Sequence, residues 1–212
     1  ITKVERGTVF QQAPLLYDLT SLQKDCNIHH DLTADKTLSI AQSLYEKKLV
    51  SYPRTGSRYI PEDIMANIPA LLEKIIAMPL FREYGRSFDF SALNTRSVDT
   101  TKVTDHHALL VTPNRPLALY KDEQTIYDMI VGRMVEAFSP ECVKDTTTVR
   151  AECEGIAFET KGCIVRKAGW RSVYGEDNID TVLPDWKEGD ILAMSGCSMS
   201  SGMTRPKPLH TE

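Results

Sequence analysis

Within the stretch "SYPRTGSRYIP", residues 51–61, a phenol at Tyr52 is followed by a guanidinium at Arg54, a hydroxyl at Thr55 and a second guanidinium at Arg58. A phenol ionises near pH 10, so about one tyrosine in a thousand is a phenolate at neutral pH. To attack a phosphodiester it needs a cation favouring the ionised oxygen, donors that hold the phosphate oxygens, and a group that protonates the departing sugar hydroxyl. Arg54 can meet the first two needs. If residues 50–55 are extended, alternation sets Tyr52 and Arg54 on one side of the backbone, with Pro53 fixing the geometry between them. The planar guanidinium fork matches a phosphate. Thr55 and Arg58 can add donors from the same loop. The same residues also admit a structural reading. A tyrosine at a strand end commonly packs with its hydroxyl satisfied, Arg54 can be a surface residue, Pro53 a turn former, and Thr55 can bond its own turn.

Farther along, "KVTDHHALLVT" at 102–112 holds Lys102, His106 and His107. Lys102 can contact a phosphate or simply be solvated. Adjacent histidines on an extended segment face opposite ways, so joint metal ligation is not expected. No D-x-D pair or acidic cluster adjoins the tyrosine to hold magnesium, and no G-x-x-x-x-G-K-[ST] loop is present. The expectation is a chain without a metal or nucleotide site of its own.

The elements that must place these groups read as follows. An extended start leads to a helix near 20–29, with Leu19, Leu22 and Cys26 at helical spacing and Thr20 and Gln23 as a capping box. A longer helix follows Thr33, with Leu38, Ala41, Tyr45 and Leu49 on one stripe, and delivers the chain to Tyr52. Pro61, Glu62 and Asp63 have the composition of a first helical turn, and Pro69 should split the apolar run that continues to about residue 78. Another amphipathic helix is expected over "DEQTIYDMIVGRMVEAF". Beyond it "TTTVRAECEG", "IAFETKGCIV" and "DILAMSGCSM" alternate as short β-prone runs between glycines. Tyr45 and Tyr59 are read as packing residues.

The 212 residues, 42% hydrophobic, suffice for one or two cores. No apolar run approaches membrane-spanning length, and the N-terminus lacks the pattern of a secretory signal, so no membrane partner is expected. Five scattered cysteines without a C-x-x-C pair suggest neither a disulfide framework nor a zinc site, and fit a reducing cytoplasm. The net charge of −4 argues mildly against a nucleic-acid partner. Its distribution matters more. Residues 36–58 carry five cations against Glu46 alone, whereas residues 176–190 carry six carboxylates against Lys187 alone. The lack of an initial methionine and the abrupt end at "KPLHTE" read as a segment of something longer.

Taken together, "TLSIAQSLYEKKLVSYPRTGSRYIP" and "KVTDHHALLVT" resemble the type IA DNA topoisomerases, and within them the bacterial topoisomerase III branch. The features concerned are the Ala-Gln-x-Leu-Tyr-Glu helix, the Tyr-Pro-Arg-Thr loop and the His-His-Ala segment, in family order. "APLLYDLTSLQKDCN", "RKAGWRSVYG" and "TRPKPLHTE" are similar to stretches around the same domain. The resemblance implies an α+β multidomain fold in which a helical, winged-helix-like domain is inserted into a mostly antiparallel β arch. Residues 1–13 and 116–212 would form the arch, and 14–115 the domain bearing Tyr52. It implies Tyr52 as nucleophile toward single-stranded DNA, with Arg54 and His106 beside the scissile phosphate. Gln42 and Glu46, four apart on one helical face, match positions that meet the bound strand or the catalytic domain. It also implies ATP-independent religation in a nucleoid-associated protein, with a helicase as a possible partner. Magnesium would be held by a Toprim domain that this segment lacks, leaving it inactive alone. Gly56 departs from the family pattern, which often has an acidic residue there. A non-catalytic single-strand-binding module, or a partner-docking module using the acidic 176–190 stretch, are the alternatives.

Overall fold

The computed structural model describes residues 1–86, 88–175, 180–193, 196, 198 and 200–204. Its elements run β1 (Lys3–Gln11), α1 (Leu19–His30), α2 (Ala34–Glu46), α3 (Glu62–Met65), α4 (Ile68–Ile76), α5 (Arg82–Gly85), α6 (Lys121–Phe138), β2 (Cys142–Cys153) and β3 (Ile156–Lys167). They fall into two compact units. One comprises the described residues of Val9–Lys144 and Val165–Ile179, the other Ile1–Thr8, Asp145–Ile164 and the described residues from Asp180 onward.

The larger unit is helical around one core. Local signals start its helices. Asp18 caps α1 by accepting from the Ser21 amide at 2.7 Å, while the Ser21 hydroxyl accepts the Asp18 amide at 3.2 Å. The capping pair therefore lies two residues before Thr20 and Gln23, and Gln23 instead donates to the Ala34 carbonyl. Thr33 caps α2 by accepting the Lys36 amide at 3.2 Å, as its sequence suggests. Pro69 sits in the first turn of α4, where its missing amide costs no helical bond, and separates that helix from α3.

The buried face of α2 is Thr37, Ala41 and Leu44. Leu38 is only partly covered and Tyr45 is 40% exposed, so the core stripe is turned by about one position from the expected one. Fully buried Leu22, Leu44, Leu72, Ile126, Ile130, Met134 and Phe138 bring α1, α2, α4 and α6 together. Each such aliphatic contributes about 1.5–3 kcal/mol over its exposed state. Glu123 ties α6 to α2 by accepting from Lys47 Nζ at 2.5 Å and Ser43 Oγ at 2.8 Å.

The three strands lie in the order β1-β2-β3. In the smaller unit the Thr2 amide donates to the Arg150 carbonyl and Thr146 Oγ1 to the Gly7 carbonyl, an antiparallel register. Glu154 and Gly155, with φ of 51° and 77°, close the β2–β3 hairpin in two residues, as a primed turn requires. These are the two runs expected from "TTTVRAECEG" and "IAFETKGCIV". The third run does not continue the sheet in its described residues. Asp190–Ala193 form no strand, and Ile191 is 96% exposed with no apolar surface to cover it. Glu176 and Asp177 of the acidic stretch lie outside the described residues. Among the described residues no helix is long and apolar enough to cross a membrane.

Candidate functional site

The site is built where α2 stops. Lys48 adopts φ 58°, and the Leu49 amide returns to the Leu44 carbonyl at 2.9 Å, which ends the helix sharply. The Lys48 carbonyl is held by Thr112 Oγ1 at 2.6 Å and Asn114 Nδ2 at 2.9 Å. From there the chain runs antiparallel to 108–112. The Ser51 amide donates to the Leu110 carbonyl at 2.8 Å and the Thr112 amide to the Leu49 carbonyl at 2.9 Å. Ser51 Oγ accepts the Leu110 amide and donates to the Ala108 carbonyl, which doubles the tie one residue before Tyr52.

The loop beyond alternates in exposure. Pro53, Thr55 and Ser57 are buried, whereas Arg54 and Gly56 are exposed and Tyr52 and Arg58 lie between. Thr55 Oγ1 donates to the His106 carbonyl at 2.9 Å and accepts the Ser57 amide at 3.1 Å. Ser57 Oγ donates to the Lys102 carbonyl at 2.9 Å. Thr55 is 4% exposed with its hydroxyl committed, so in this structure it fastens the loop to the His106 segment rather than facing solvent as a donor.

That fastening brings Tyr52 and His106 together, 54 positions apart in sequence. Their ring centroids are 4.4 Å apart at an interplanar angle of 48°. Tyr45, from the last turn of α2, meets Tyr52 edge-on at 5.4 Å and 79°. Among the described residues Thr37 Oγ1 is the only buried side-chain nitrogen or oxygen without a hydrogen-bond partner. The Tyr52 hydroxyl has no hydrogen bond there, so it reaches solvent. Arg54 is exposed and no described carboxylate pairs with it. A half-buried phenol with an open hydroxyl, an imidazole against its ring and an uncommitted guanidinium two residues on can receive an anion.

The other candidate residues are engaged differently. Arg58 Nε donates to the Leu16 carbonyl at 3.2 Å. Lys102 Nζ pairs with Asp99 at 2.8 Å and lies 4.9 Å from the Tyr59 ring centre. Hydrogen bonds from Lys102 and Thr101 hold the Asp99 carboxyl down to about 2, so that partner stays anionic across the physiological range. Gln42 Nε2 donates to Glu46 Oε1 at 3.1 Å on the last turns of α2, the helix that feeds the loop. His107 places its Nδ1 2.7 Å from the Ala108 carbonyl. No group of three or more His, Cys, Asp or Glu able to hold a metal occurs among the described residues. Sequence reasoning missed the Tyr45 contact and the serine ties. The spacing of Tyr45 and Tyr52 across a helix end was the available signal for the first, whereas the ties need the 51–60 and 106–112 segments to be paired.

A DNA topoisomerase family description matches residues 1–212, and the chain belongs to that family. It is 36% identical over 208 residues to DNA topoisomerase 3 of Bacillus subtilis (strain 168), covering 92% of this chain and 28% of that relative. With DNA topoisomerase 3 of Shouchella clausii (strain KSM-K16) it shares 33% identity over 220 residues, 100% of this chain and 30% of the relative. The fold is similar to full-length topoisomerase I from Thermotoga maritima, with a TM-score of 0.67 at 16% identity over 89% of this chain and 31% of that one. The chain thus spans less than a third of the length of these relatives.

Proposed function

We propose that this chain is the nucleophile-bearing segment of a type IA DNA topoisomerase and that Tyr52 cuts and rejoins single-stranded DNA. The observation that carries the reading is the open Tyr52 hydroxyl beside the His106 ring, with an unpaired Arg54 in the same loop. Tyr52 Oη attacks a backbone phosphorus. A bond forms from the phenolic oxygen to phosphorus, and the bond from phosphorus to the 3′ oxygen breaks. One proton leaves the phenol and one arrives at the 3′ oxygen, so the product is a 5′-phosphotyrosine and a free 3′ hydroxyl. One phosphodiester replaces another, and the reverse attack needs no ATP. Arg54 offers its fork to the non-bridging oxygens, and His106 hydrogen-bonds one of them through its ring nitrogen. Ser51, Thr55 and Ser57 hold the loop to the His106 segment, so phenol and imidazole are placed before substrate arrives.

In this reading 14–115 is a winged-helix-like domain and 1–13 with 116–212 belong to a β arch, whose helix α6 packs into the same core as α1, α2 and α4. Gln42, Glu46 and Arg58 border the bound strand, and Lys102 joins them by exchanging Asp99 for a phosphate. The residues around Tyr52 do not make a magnesium set. The ion and its Toprim carboxylates are assigned to other parts of the protein, and the isolated segment is expected to bind single strands weakly and to cut nothing. The family match and the named relatives support this reading over a purely structural or partner-docking module. The test is polarity. In a protein of the relatives' full length carrying this segment, DNA labelled at its 3′ end should travel with the denatured protein and DNA labelled at its 5′ end should be released. Retention of the 5′ label instead would overturn the proposed attack.

A further inference from the structure

Two adjoining clefts in the larger unit, of about 420 and 260 Å³, share the wall formed by Leu71, Lys74, Val111, Thr112 and Pro113. The first begins at Ser51 and His107, and the second ends at Arg115 and Tyr127. Their walls come mainly from α4 and from the stretch that follows the His106 segment. The lining is mostly apolar, with Ile68, Ile75 and Met78 beside Pro79, Pro113 and Pro116.

The charge on this groove has one sign. Its charged lining residues are Lys74 and Arg115, with no aspartate or glutamate. Neither Lys74 nor Arg115 is in an ion pair among the described residues. Uncommitted cations over an apolar floor favour an occupant with both carboxylates and hydrophobic side chains. A nucleic-acid strand fits less well. Strand binding relies on open aromatic faces for stacking, and Tyr127, the aromatic residue of this lining, is only 4% exposed. The prolines remove backbone donors, which disfavours an added β-strand and leaves side-chain anchoring as the mode.

We infer that this groove docks a short acidic peptide with apolar anchors from a protein partner, its hydrophobic side chains in the two clefts and its carboxylates on Lys74 and Arg115. Because Ser51 and His107 line one end, the occupant lies against the backbone that carries Tyr52 and His106.

The test is fluorescence polarisation with a protein of the relatives' full length carrying this segment and a labelled peptide alternating aspartate with leucine and phenylalanine. Binding on the order of micromolar Kd is expected, weakening with added salt. The double variant Lys74→Glu/Arg115→Glu should lose about tenfold or more, a difference of about 1.4 kcal/mol, and Lys74→Arg should bind as wild type. Circular dichroism melts of the variants should match wild type, since both side chains are at the surface. Polyglutamate without apolar residues should bind at least tenfold more weakly than the mixed peptide. Absence of peptide binding, affinity indifferent to charge reversal, or equal binding of polyglutamate overturns the proposal. So does a selective loss of oligothymidylate binding in the double variant, which would make the groove a nucleic-acid surface. None of these readouts uses Tyr52 chemistry, so the inference stands or falls apart from the proposed function.

Discussion

At the scale of single residues, position and freedom matter more than composition. Tyr52 has an open hydroxyl and a ring held by Tyr45 and His106, whereas Tyr17 has its hydroxyl bound to Asp25 at 2.9 Å and to Arg133 at 3.0 Å. Burial pushes the Tyr17 phenol well above the ordinary tyrosine range, so the core phenol is the less reactive one. Arg54 differs from Arg133 in the same sense. Arg133 is committed to Asp25 and Glu136, while Arg54 keeps its donors for an anion. Arg54→Ala should lower the rate of DNA–protein adduct formation by about 100-fold or more while leaving folding stability within about 0.5 kcal/mol. Arg54→Lys should recover only part of the rate, because an ammonium cannot present two parallel donors. Single-turnover cleavage and thermal melts measure the two quantities. An adduct rate unchanged in Arg54→Ala would remove the guanidinium from the mechanism.

The elements position the site through contacts distant in sequence. Thr55 holds the Tyr52 loop to the His106 carbonyl and accepts the buried Ser57 amide, so Thr55→Val removes the tie and leaves that amide unpaired at a cost of about 1–3 kcal/mol. The adduct rate should fall with it, and a variant that melts as wild type would show that the tie is dispensable. Glu123 does similar work between α6 and α2. Hydrogen bonds from Lys47 and then Ser43 hold its carboxyl below the ordinary 4.5. The unfolded carboxyl titrates at the ordinary value, so this contribution is complete above about pH 4.5 and is lost as pH falls through the lower folded value. Since the Lys47 end is 40% exposed and screened, Glu123→Gln should cost about 1 kcal/mol at about pH 7. Chemical denaturation across pH should show that difference closing in acid. A difference that persists into acid would assign the cost to packing instead.

Much of this was legible in the sequence. Thr33, Pro69 and the Glu154–Gly155 turn mark boundaries through local chemistry, and local chemistry survives folding. The first helix is capped by Asp18 rather than Thr20 because both can cap, and the choice depends on Ser21 answering back. The buried stripe on α2 lies one position from the expected one because Tyr45 is apolar enough to count as core in a pattern, yet its ring is used at the surface against Tyr52. The run at 190–199 alternates like a strand but its described residues find no neighbouring edge, and pairing is a property no short window contains. Tyr52 and Arg54 could be singled out from adjacent residues. The closeness of the Tyr52 ring to His106 could not be derived from spacing and entered only through the family resemblance.

At the scale of the molecule, the division into two compact units and the span of less than a third of the relatives' length frame what this chain can do by itself. Tyr52, Arg54 and His106 all belong to the larger unit, so their arrangement depends on that unit's own core. In the proposed function, metal chemistry and most of the strand-binding surface belong to the rest of the protein. The most direct measurement is therefore made on a protein of the relatives' full length carrying this segment, incubated with single-stranded DNA and magnesium, then denatured and searched for covalently attached DNA. The account predicts an adduct whose DNA-bearing peptide contains Tyr52, and none from a Tyr52→Phe variant that melts at the same temperature. An adduct that persists in Tyr52→Phe, or that maps to another residue, would contradict it.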